Sequence, residues 1–209
     1  MAQILPSFTL NDKNFSIHLD GSFRVREAPE GYSLSDITVS SSLELKARSS
    51  LLLSQIGKYY NTPFTNTGPL PPRVNKETTY VVVWRIQHRP NDIDSLALEA
   101  ELPPTVLWKN VSRVNRGTLS FDAARRMVVW DLGKKAGASS GMLPDEAAFQ
   151  IGLIPAANQV NTTPTLIEEV RATAHDIFVD ETLAVVAPAV RIDLPDDPAI
   201  LFNQHTVAP

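Results

Sequence analysis

The chain has 209 residues, of which 43% are hydrophobic and 20% are charged, as is ordinary for a globular protein with a packed core. It contains 16 prolines, 9 glycines and no cysteine, which excludes disulfides, thiolate catalysis and cysteine-ligated zinc. Because proline removes an amide donor and fixes φ, prolines spread along the whole chain argue against a helical bundle. The net charge is −4, whereas nucleic-acid binding needs a basic surface that neutralises phosphates, so we expect no nucleic-acid partner.

The sequence contains no membrane-spanning pattern. Its longest apolar run, residues 183–190, is interrupted by Pro188 and is far shorter than the roughly 20 residues that a spanning helix needs. Residues 1–6 lack the basic and apolar regions of a signal peptide. We therefore expect a soluble chain, which is either a complete cytosolic protein, a mature secreted protein or part of a longer one.

The N-terminal third contains short segments in which apolar and polar residues alternate. They lie at residues 8–10, 15–19, 23–25, 37–39 and 43–45. A period of two is typical of β-strands, but so short a segment is marginal for an independent sandwich. We predict a small or partial β-sandwich module over residues 1–60. Residues 61–73 hold Pro63, Pro69, Pro71 and Pro72, which predicts a stiff, extended linker.

The clearest alternation follows this segment. Tyr80, Val82, Trp84 and Ile86 occupy one face of residues 79–86, and the other face is half polar, as in an antiparallel sheet packed on one side. Further alternating segments lie at residues 96–102, 119–121, 128–132 and 149–153, with a turn at residues 122–125. Turn residues recur about every 8–12 positions, which is typical of a sandwich or barrel.

Residues 165–176 fit two structures. Thr165 and Glu168 have the spacing of a helix capping box. Val170, Ala172 and Ala174 alternate as in a strand. We favour the strand, because the surrounding segments are strands and Val170 and Thr173 are β-branched.

Several short motifs occur in a recognisable order between about residues 66 and 197. They are Asn-Thr-Gly-Pro-Leu-Pro-Pro at 66–72, Thr-Thr-Tyr-Val-Val-Val-Trp at 78–84, Leu-Pro-Pro at 102–104 with Trp108, Leu-Ser-Phe-Asp at 119–122, Val-Val-Trp-Asp-Leu-Gly at 128–133, Ala-Gly at 136–137 and Ala-Phe-Gln-Ile-Gly-Leu-Ile-Pro at 148–155. This order resembles the immunoglobulin-like conserved-repeat domains of multi-module bacterial cell-surface proteins, a family of unknown function. The chain departs from the pattern at the basic residues 85–90 and at Lys134 and Lys135.

The resemblance implies an all-β fold and a location outside the cell. It predicts an immunoglobulin-like antiparallel β-sandwich over residues 74–192, preceded by the smaller module and followed by a linker or tail over residues 193–209. It also implies a cell-surface or extracellular protein, and the family has no catalytic residues to carry over.

Candidate metal ligands occur at two places. His175 with Asp176, Asp180 and Glu181 offers a nitrogen and several oxygens. Asp92 and Asp94 lie in a loop after a strand, as calcium ligands sometimes do, but without the regular spacing of a calcium loop. In both cases a solvated loop is the favoured interpretation, so we predict no metal and no cofactor.

Other chemistry-bearing residues also have simpler interpretations. Ser139 and Ser140 lie in a glycine-flanked loop that is not a nucleophile elbow. The basic residues Arg113, Arg116, Arg125 and Arg126 are interpreted as solvated turn residues. Trp84 and Trp130 alternate in phase with core residues, and only Trp108 is a candidate outward aromatic. Lys76 and Lys109 are candidates for an isopeptide cross-link, but the sequence identifies no partner for them.

These observations predict a protein that is not an enzyme. The favoured function is a structural or adhesive module of a bacterial surface-exposed protein, a spacer or stalk repeat. Its partners would be neighbouring modules of the same polypeptide or other copies of the chain. One alternative is a carbohydrate- or protein-binding module that uses Trp108 and the loops near Asp92. The other is a self-assembling subunit that uses strand addition, with an incomplete N-terminal sheet and the apolar residues 200–202.

Overall fold

The computed structural model describes residues 12–24, 30–31, 38–137 and 144–209. Within these residues the regular elements are β-strands, apart from single 3-10 turns at Ala157–Gln159 and Phe202–Gln204. The strands are β1 (Ser16–Arg24), β2 (Thr38–Lys46), β3 (Ser50–Lys58), β4 (Thr78–Arg89), β5 (Ile93–Glu101), β6 (Val106–Val114), β7 (Thr118–Asp122), β8 (Met127–Lys135), β9 (Asp145–Leu153), β10 (Thr165–Ile167), β11 (Val170–Asp176), β12 (Glu181–Ala187) and β13 (Val190–Arg191). The all-β prediction is confirmed, and residues 165–176 form strands rather than a helix. Across the described ranges, no helix has the length and hydropathy to span a bilayer.

Two antiparallel sheets pack face to face and enclose the core. One has the order β12-β11-β5-β8-β7 and the other β3-β4-β9-β6. Trp84 and Phe149 from the second sheet meet edge to face with ring centroids 5.0 Å apart, and Trp130 from the first sheet is equally buried. The predicted core faces of residues 80–86, 96–102, 128–132 and 149–153 are confirmed. Burial of this apolar surface, at about 25 cal/mol per Å², is the main stabilising contribution.

The outer face of β4 is covered as well. Val81 and Val83 are buried with Ala148 of β9, and Phe64 packs over them. Gln150 Nε2 also donates to the carbonyl of Thr65 at 3.0 Å. The expectation of a sheet packed on one side only was therefore wrong at residues 81 and 83. Residues 61–73, expected to be a linker, instead lie against the four-stranded sheet because Phe64 shields these valines from water.

The sandwich begins before that segment. β3, which the sequence placed in the N-terminal module, pairs with β4 along its whole length, from Ser50 opposite Arg89 to Lys58 opposite Val81. Its inward side presents Gln55 and Gly57 next to the core. The start of the sandwich is thus corrected from residue 74 to β3.

The C-terminal residues belong to the same body. The backbone N–H groups of Tyr59 and Tyr60 both donate to Asp197 Oδ2 at 2.8 Å. Val207 is buried and pairs with Val160. Residues 193–209 are therefore a packed segment rather than a free tail. The division of the chain into separate domains stays a prediction.

β1 and β2 form a two-stranded ribbon, paired in register from Ser16 opposite Lys46 to Arg24 opposite Thr38. Among the described residues, the ribbon shares no strand pairing with the two large sheets. The predicted strand segments at 15–19 and 43–45 fall within or next to this ribbon, as do the described residues of the segments at 23–25 and 37–39. The segment at residues 8–10 lies outside the described residues.

Candidate functional site at the two ends of the sandwich

The described chain enters and leaves the sandwich at opposite ends. Where β4 ends, Asn91 Nδ2 donates to the carbonyl of Ala47, just after the ribbon, at 2.8 Å. Where β4 begins, the N–H of Ala208 donates to the carbonyl of Pro72 at 2.7 Å. We call these the ribbon end and the tail end. β4 has 12 residues, so the ends lie about 40 Å apart at roughly 3.4 Å per residue.

A buried carboxylate, Asp176, organises the ribbon end. Its Oδ2 accepts from the N–H of Ser49 at 2.6 Å and from Asn91 Nδ2 at 3.0 Å, while its Oδ1 accepts from the N–H of Phe178 at 3.0 Å. Burial opposes its ionisation, but these hydrogen bonds outweigh that effect and hold the pKa of Asp176 below its ordinary value. One charged group thereby joins the start of β3, the β4–β5 turn and the β11–β12 turn.

The candidate metal residues near Asp176 are not brought together. His175 Nε2 lies 3.3 Å from Asp180 Oδ1, whereas Glu181 pairs with Arg48 at 3.8 Å. The oxygens of Asp176 accept hydrogen bonds from backbone N–H groups and from the side-chain amide of Asn91. Across residues 12–24, 30–31, 38–137 and 144–209, no group of three His, Cys, Asp or Glu side chains is placed to hold a metal.

The candidate calcium residues have protein partners. Asp92 accepts from Lys13 Nζ at 2.8 Å and from the N–H of Gly137 at 2.7 Å, and these bonds lower its pKa. Asp94 Oδ1 accepts from the N–H of Ser95 at 2.6 Å. Asp92 therefore serves as a second tie at the ribbon end. Ser139 and Ser140 lie outside the described residues.

Trp108 is half-buried rather than outward. Its ring stacks on Phe121 with centroids 5.6 Å apart and an angle of 16° between the planes. It lies opposite Ile151 on β9, toward the tail end, whereas Asp92 lies at the ribbon end. The two parts of the predicted sugar site are therefore at opposite ends of the sandwich. The predictions that Trp84 and Trp130 are core residues are confirmed.

The arginine cluster is largely engaged with the protein itself. Arg126 donates from Nε to the carbonyl of Leu102 at 3.0 Å and from Nη2 to those of Pro103 and Val106, each at 2.6 Å. Arg116 Nη2 donates to the carbonyl of Lys134 at 2.6 Å. These two guanidinium groups hold turns in place rather than forming a free basic surface.

The candidate cross-linking lysines lie at the surface. Lys109 Nζ is 2.7 Å from Glu77 Oε1, and both side chains are about one third exposed (31% and 35%). Lys76 is exposed. Neither lysine has the apolar surroundings that an isopeptide bond needs.

Each end carries an exposed apolar surface. On the ribbon, Ile17 lies opposite Leu45, Leu19 opposite Leu43 and Phe23 opposite Val39. Directly paired residues share one face, and these six side chains are 48% to 77% exposed. We call this the ribbon face.

At the tail end, Leu201 and Phe202 are 61% and 90% exposed. Ile200, by contrast, packs on the core. We call Leu201 and Phe202 the tail knob. The alternation in residues 17–23 and 39–45 contained the signal for the ribbon face, but only the observed register aligns the two strands.

No protein-family model matches the chain, and no curated protein matches it. Among solved structures, it is similar to three N-terminal domains of the type V pili tip protein Mfa5 from Porphyromonas gingivalis, with 14% identity over 52% of this chain and 23% of that chain and a TM-score of 0.40. It is also similar to the major pilin SpaD from Corynebacterium diphtheriae, with 11% identity over 68% of this chain and 35% of that chain and a TM-score of 0.44. A third similar structure is the major pilin BcpA from Bacillus cereus in its D312A form. The identity is 8% over 83% of this chain and 55% of that chain, with a TM-score of 0.44. The chain thus spans less than two thirds of each of these proteins, and the function proposed below rests on its own geometry.

Proposed function

We propose that the chain is a non-enzymatic structural module of a bacterial surface-exposed protein, a spacer or stalk repeat placed in line between its neighbours. The observation that carries this proposal is the position of the two ends. The chain reaches the sandwich through Ala47 and Ser49 at the ribbon end and leaves it through Val207 and Ala208 at the tail end. A module attached in this way transmits tension along its full length.

The pairing of β3 with β4 suits a module that bears tension. Force applied after the ribbon reaches β3, which is bonded to β4 over nine residue pairs. Hydrogen bonds of an antiparallel ladder lie perpendicular to the strands. Pulling along the strands therefore loads the whole β3–β4 ladder in shear, rather than opening one bond after another.

Single-molecule pulling tests this function. Because the chain has no cysteine, handles can be placed uniquely with Arg48→Cys and Pro209→Cys. In a matched control, handles at Arg171→Cys and Val186→Cys, which lie opposite each other in β11 and β12, unzip an edge hairpin. We expect a several-fold higher unfolding force for the first pair. Equal or lower force for the first pair would contradict a tension-bearing role.

A second candidate function is head-to-tail self-assembly. It is favoured by the ribbon face and the tail knob lying at opposite ends, both exposed. In this assembly the knob of one copy, Leu201 and Phe202, docks on the ribbon face of the next copy. Two different patches that pair in this way form a heterologous contact, which grows into a filament where the rotation does not close a ring.

Two variants separate this assembly from other kinds of association. Phe23→Ser with Leu43→Ser removes the ribbon face, and Phe202→Ser removes the knob. Light scattering should show wild-type mass rising with concentration, each variant monomeric alone, and one-to-one dimers when the two variants are mixed. A wild-type chain that stays monomeric at every concentration, or a mixture that forms no dimer, rejects the head-to-tail contact.

A further inference from the structure

A lysine and an aspartate meet inside the sandwich, near the end of β4. Lys135 is the last residue of β8 and Asp145 is the first residue of β9, so the two belong to different sheets. Lys135 Nζ lies 2.5 Å from Asp145 Oδ2, and the side chains are only 2% and 12% exposed. The contact therefore bridges the two layers of the core.

A shift in β8 turns Lys135 inward. Val128, Trp130 and Leu132 are buried at every second position, and strict alternation would next bury Lys134. Gly133 instead has a φ of +59°, a left-handed conformation that glycine adopts at little cost, and the pairing of β5 with β8 shifts register nearby. Lys135 is buried as a consequence, while Lys134 is exposed.

The pair is poorly satisfied as two charges. Within the described residues, neither Lys135 Nζ nor Asp145 Oδ2 makes a hydrogen bond beyond their mutual contact. Burying an ammonium and a carboxylate is costly, and the cost is recovered only when further hydrogen bonds satisfy both groups. Each of these two atoms therefore has only the other as a polar partner.

A third buried group adds no charge at neutral pH. His88 on β4 is buried. Its burial, helped by the charge of Lys135, lowers the pKa of His88 to about 4. The imidazole is thus neutral at pH 7 and does not replace Lys135 as a cationic partner for Asp145.

We propose that Lys135 and Asp145 are joined by an isopeptide bond that cross-links the two sheets. In this reaction Nζ passes a proton to the carboxylate, its lone pair attacks Cγ of Asp145, and a C–N bond forms. The bond from Cγ to one carboxyl oxygen then breaks, and that oxygen leaves as water with two of the three protons that Nζ carried. The reaction needs no oxidant, reductant or other reactant, and the product is a neutral amide.

The fold accelerates this reaction by holding the two groups in contact. Two groups held in contact react with a large effective concentration, because the entropy of bringing them together has already been lost on folding. The product also removes two buried charges and replaces them with one N–H and one C=O group. Lys109 and Glu77 show the contrast: they are at a similar distance, but their exposure leaves their charges solvated. The cross-link does not depend on the function proposed above.

Intact mass is the first test. We expect the purified wild-type chain, denatured before measurement, to be lighter than its sequence mass by one water molecule. Lys135→Leu should restore the full mass, and the matched control Lys109→Leu should keep the loss. A wild-type chain at full mass, or a loss of water that persists in Lys135→Leu, overturns the proposal.

Chemical cleavage locates the bond. Cyanogen bromide cuts after methionine, and Met142 lies between Lys135 and Asp145 in the sequence. Fragments 128–142 and 143–209 should therefore stay joined under denaturing conditions in the wild-type chain and in Lys109→Leu, and should separate in Lys135→Leu. Separation of the wild-type fragments overturns the proposal. Both wild-type readouts decide the matter even where Lys135→Leu fails to fold.

Discussion

Asn91 Nδ2 donates a hydrogen bond to Asp176 Oδ2 at 3.0 Å, and this contact ties the β4–β5 turn to the β11–β12 turn at the ribbon end. Both residues are fully buried. Asn91 is held in turn by its N–H, which donates to Ser49 Oγ at 3.0 Å. The ribbon is thus anchored to the sandwich through a buried polar network, in which the Ser49 N–H, Asn91 Nδ2 and the Phe178 N–H all donate to Asp176.

Asp176→Asn should therefore destabilise the protein strongly, although the two side chains have nearly the same size and shape. The amide removes the charge and turns an NH₂ group toward groups that are themselves donors, so we expect a loss of about 2–3 kcal/mol in unfolding free energy. Urea unfolding at pH 7 measures it. Asp180→Asn, four residues on and 92% exposed at its side chain, is the control and should change stability by less than about 0.5 kcal/mol.

The pH dependence of that loss has a definite sign. Because the pKa of Asp176 is lowered in the folded chain, its stabilising effect is present above the ordinary pKa of about 3.9 and disappears as the pH falls through the folded value. The difference between wild type and Asp176→Asn should be full at pH 7 and shrink only in strong acid. A difference that is unchanged by such acidification would show that the charge is not what stabilises the network.

Gln55 gives a second prediction, in the interior of β3. Its Oε1 accepts from Trp84 Nε1 at 2.6 Å, and its Nε2 donates to the carbonyls of Glu168 and Pro188 at 3.0 and 2.9 Å. Gln55→Leu would leave the buried Trp84 Nε1 without its acceptor and two part-buried carbonyls without this donor, so we expect a loss of about 2–4 kcal/mol. Ser54→Ala, on the exposed side of the same strand, should be close to neutral by the same urea measurement.

Gln55 also explains why β3 was not predicted from the sequence. Segments whose inward residues are apolar, such as residues 80–86 and 128–132, follow directly from their alternation. β3 places a glutamine and a glycine at its inward positions, so its hydrophobic period stops after Leu53. The side-chain hydrogen bonds that compensate for Gln55 join residues more than 100 positions apart, and no local pattern reveals them.

Lys135 escaped prediction for a related reason. In the sequence, Lys134 and Lys135 together are typical of a solvated strand end, and only the left-handed turn at Gly133 decides which of them faces inward. The packed tail is similar: it is held by Asp197 bonded to the backbone of Tyr59 and Tyr60, and an aspartate beside prolines has the composition of a loop. The period of hydrophobic residues in the sequence predicts which strands exist. Polar contacts between distant segments determine how those strands and segments are joined, and the sequence pattern does not reveal these contacts.

Gly57 provides a test of the packed tail. A Cβ added at Gly57 would overlap the side chains of Val190 and Leu194, whereas one added at Gly21 meets only the carbonyl oxygen of Ser41 at 3.9 Å. Gly57→Ala should therefore push the C-terminal segment off β3 and cost about 1–3 kcal/mol. Amide hydrogen exchange should be faster at Tyr59 and Tyr60, which donate to Asp197. Gly21→Ala should leave both exchange rates unchanged, and unchanged rates in Gly57→Ala would contradict the packing.

His88 gives the last prediction, a loss of stability in mild acid. Burial is the largest cause of its lowered pKa, and burial acts whether or not Lys135 carries a charge. The unfolded chain takes up a proton on this histidine near pH 6.5, while the folded chain does so only near pH 4. Stability is therefore full above pH 6.5 and falls as the pH decreases toward 4.

The size and origin of that fall can be measured with one variant. This difference between the unfolded and folded pKa of His88 corresponds to a loss of about 3 kcal/mol in unfolding free energy between pH 7 and pH 4. Other groups titrate in the same range, so the informative quantity is the difference between wild type and His88→Asn in urea unfolding at several pH values. That difference should decline as the pH falls from 6.5 to 4 and be constant above. Equal slopes for wild type and His88→Asn would show that His88 is protonated as easily inside the sandwich as in water.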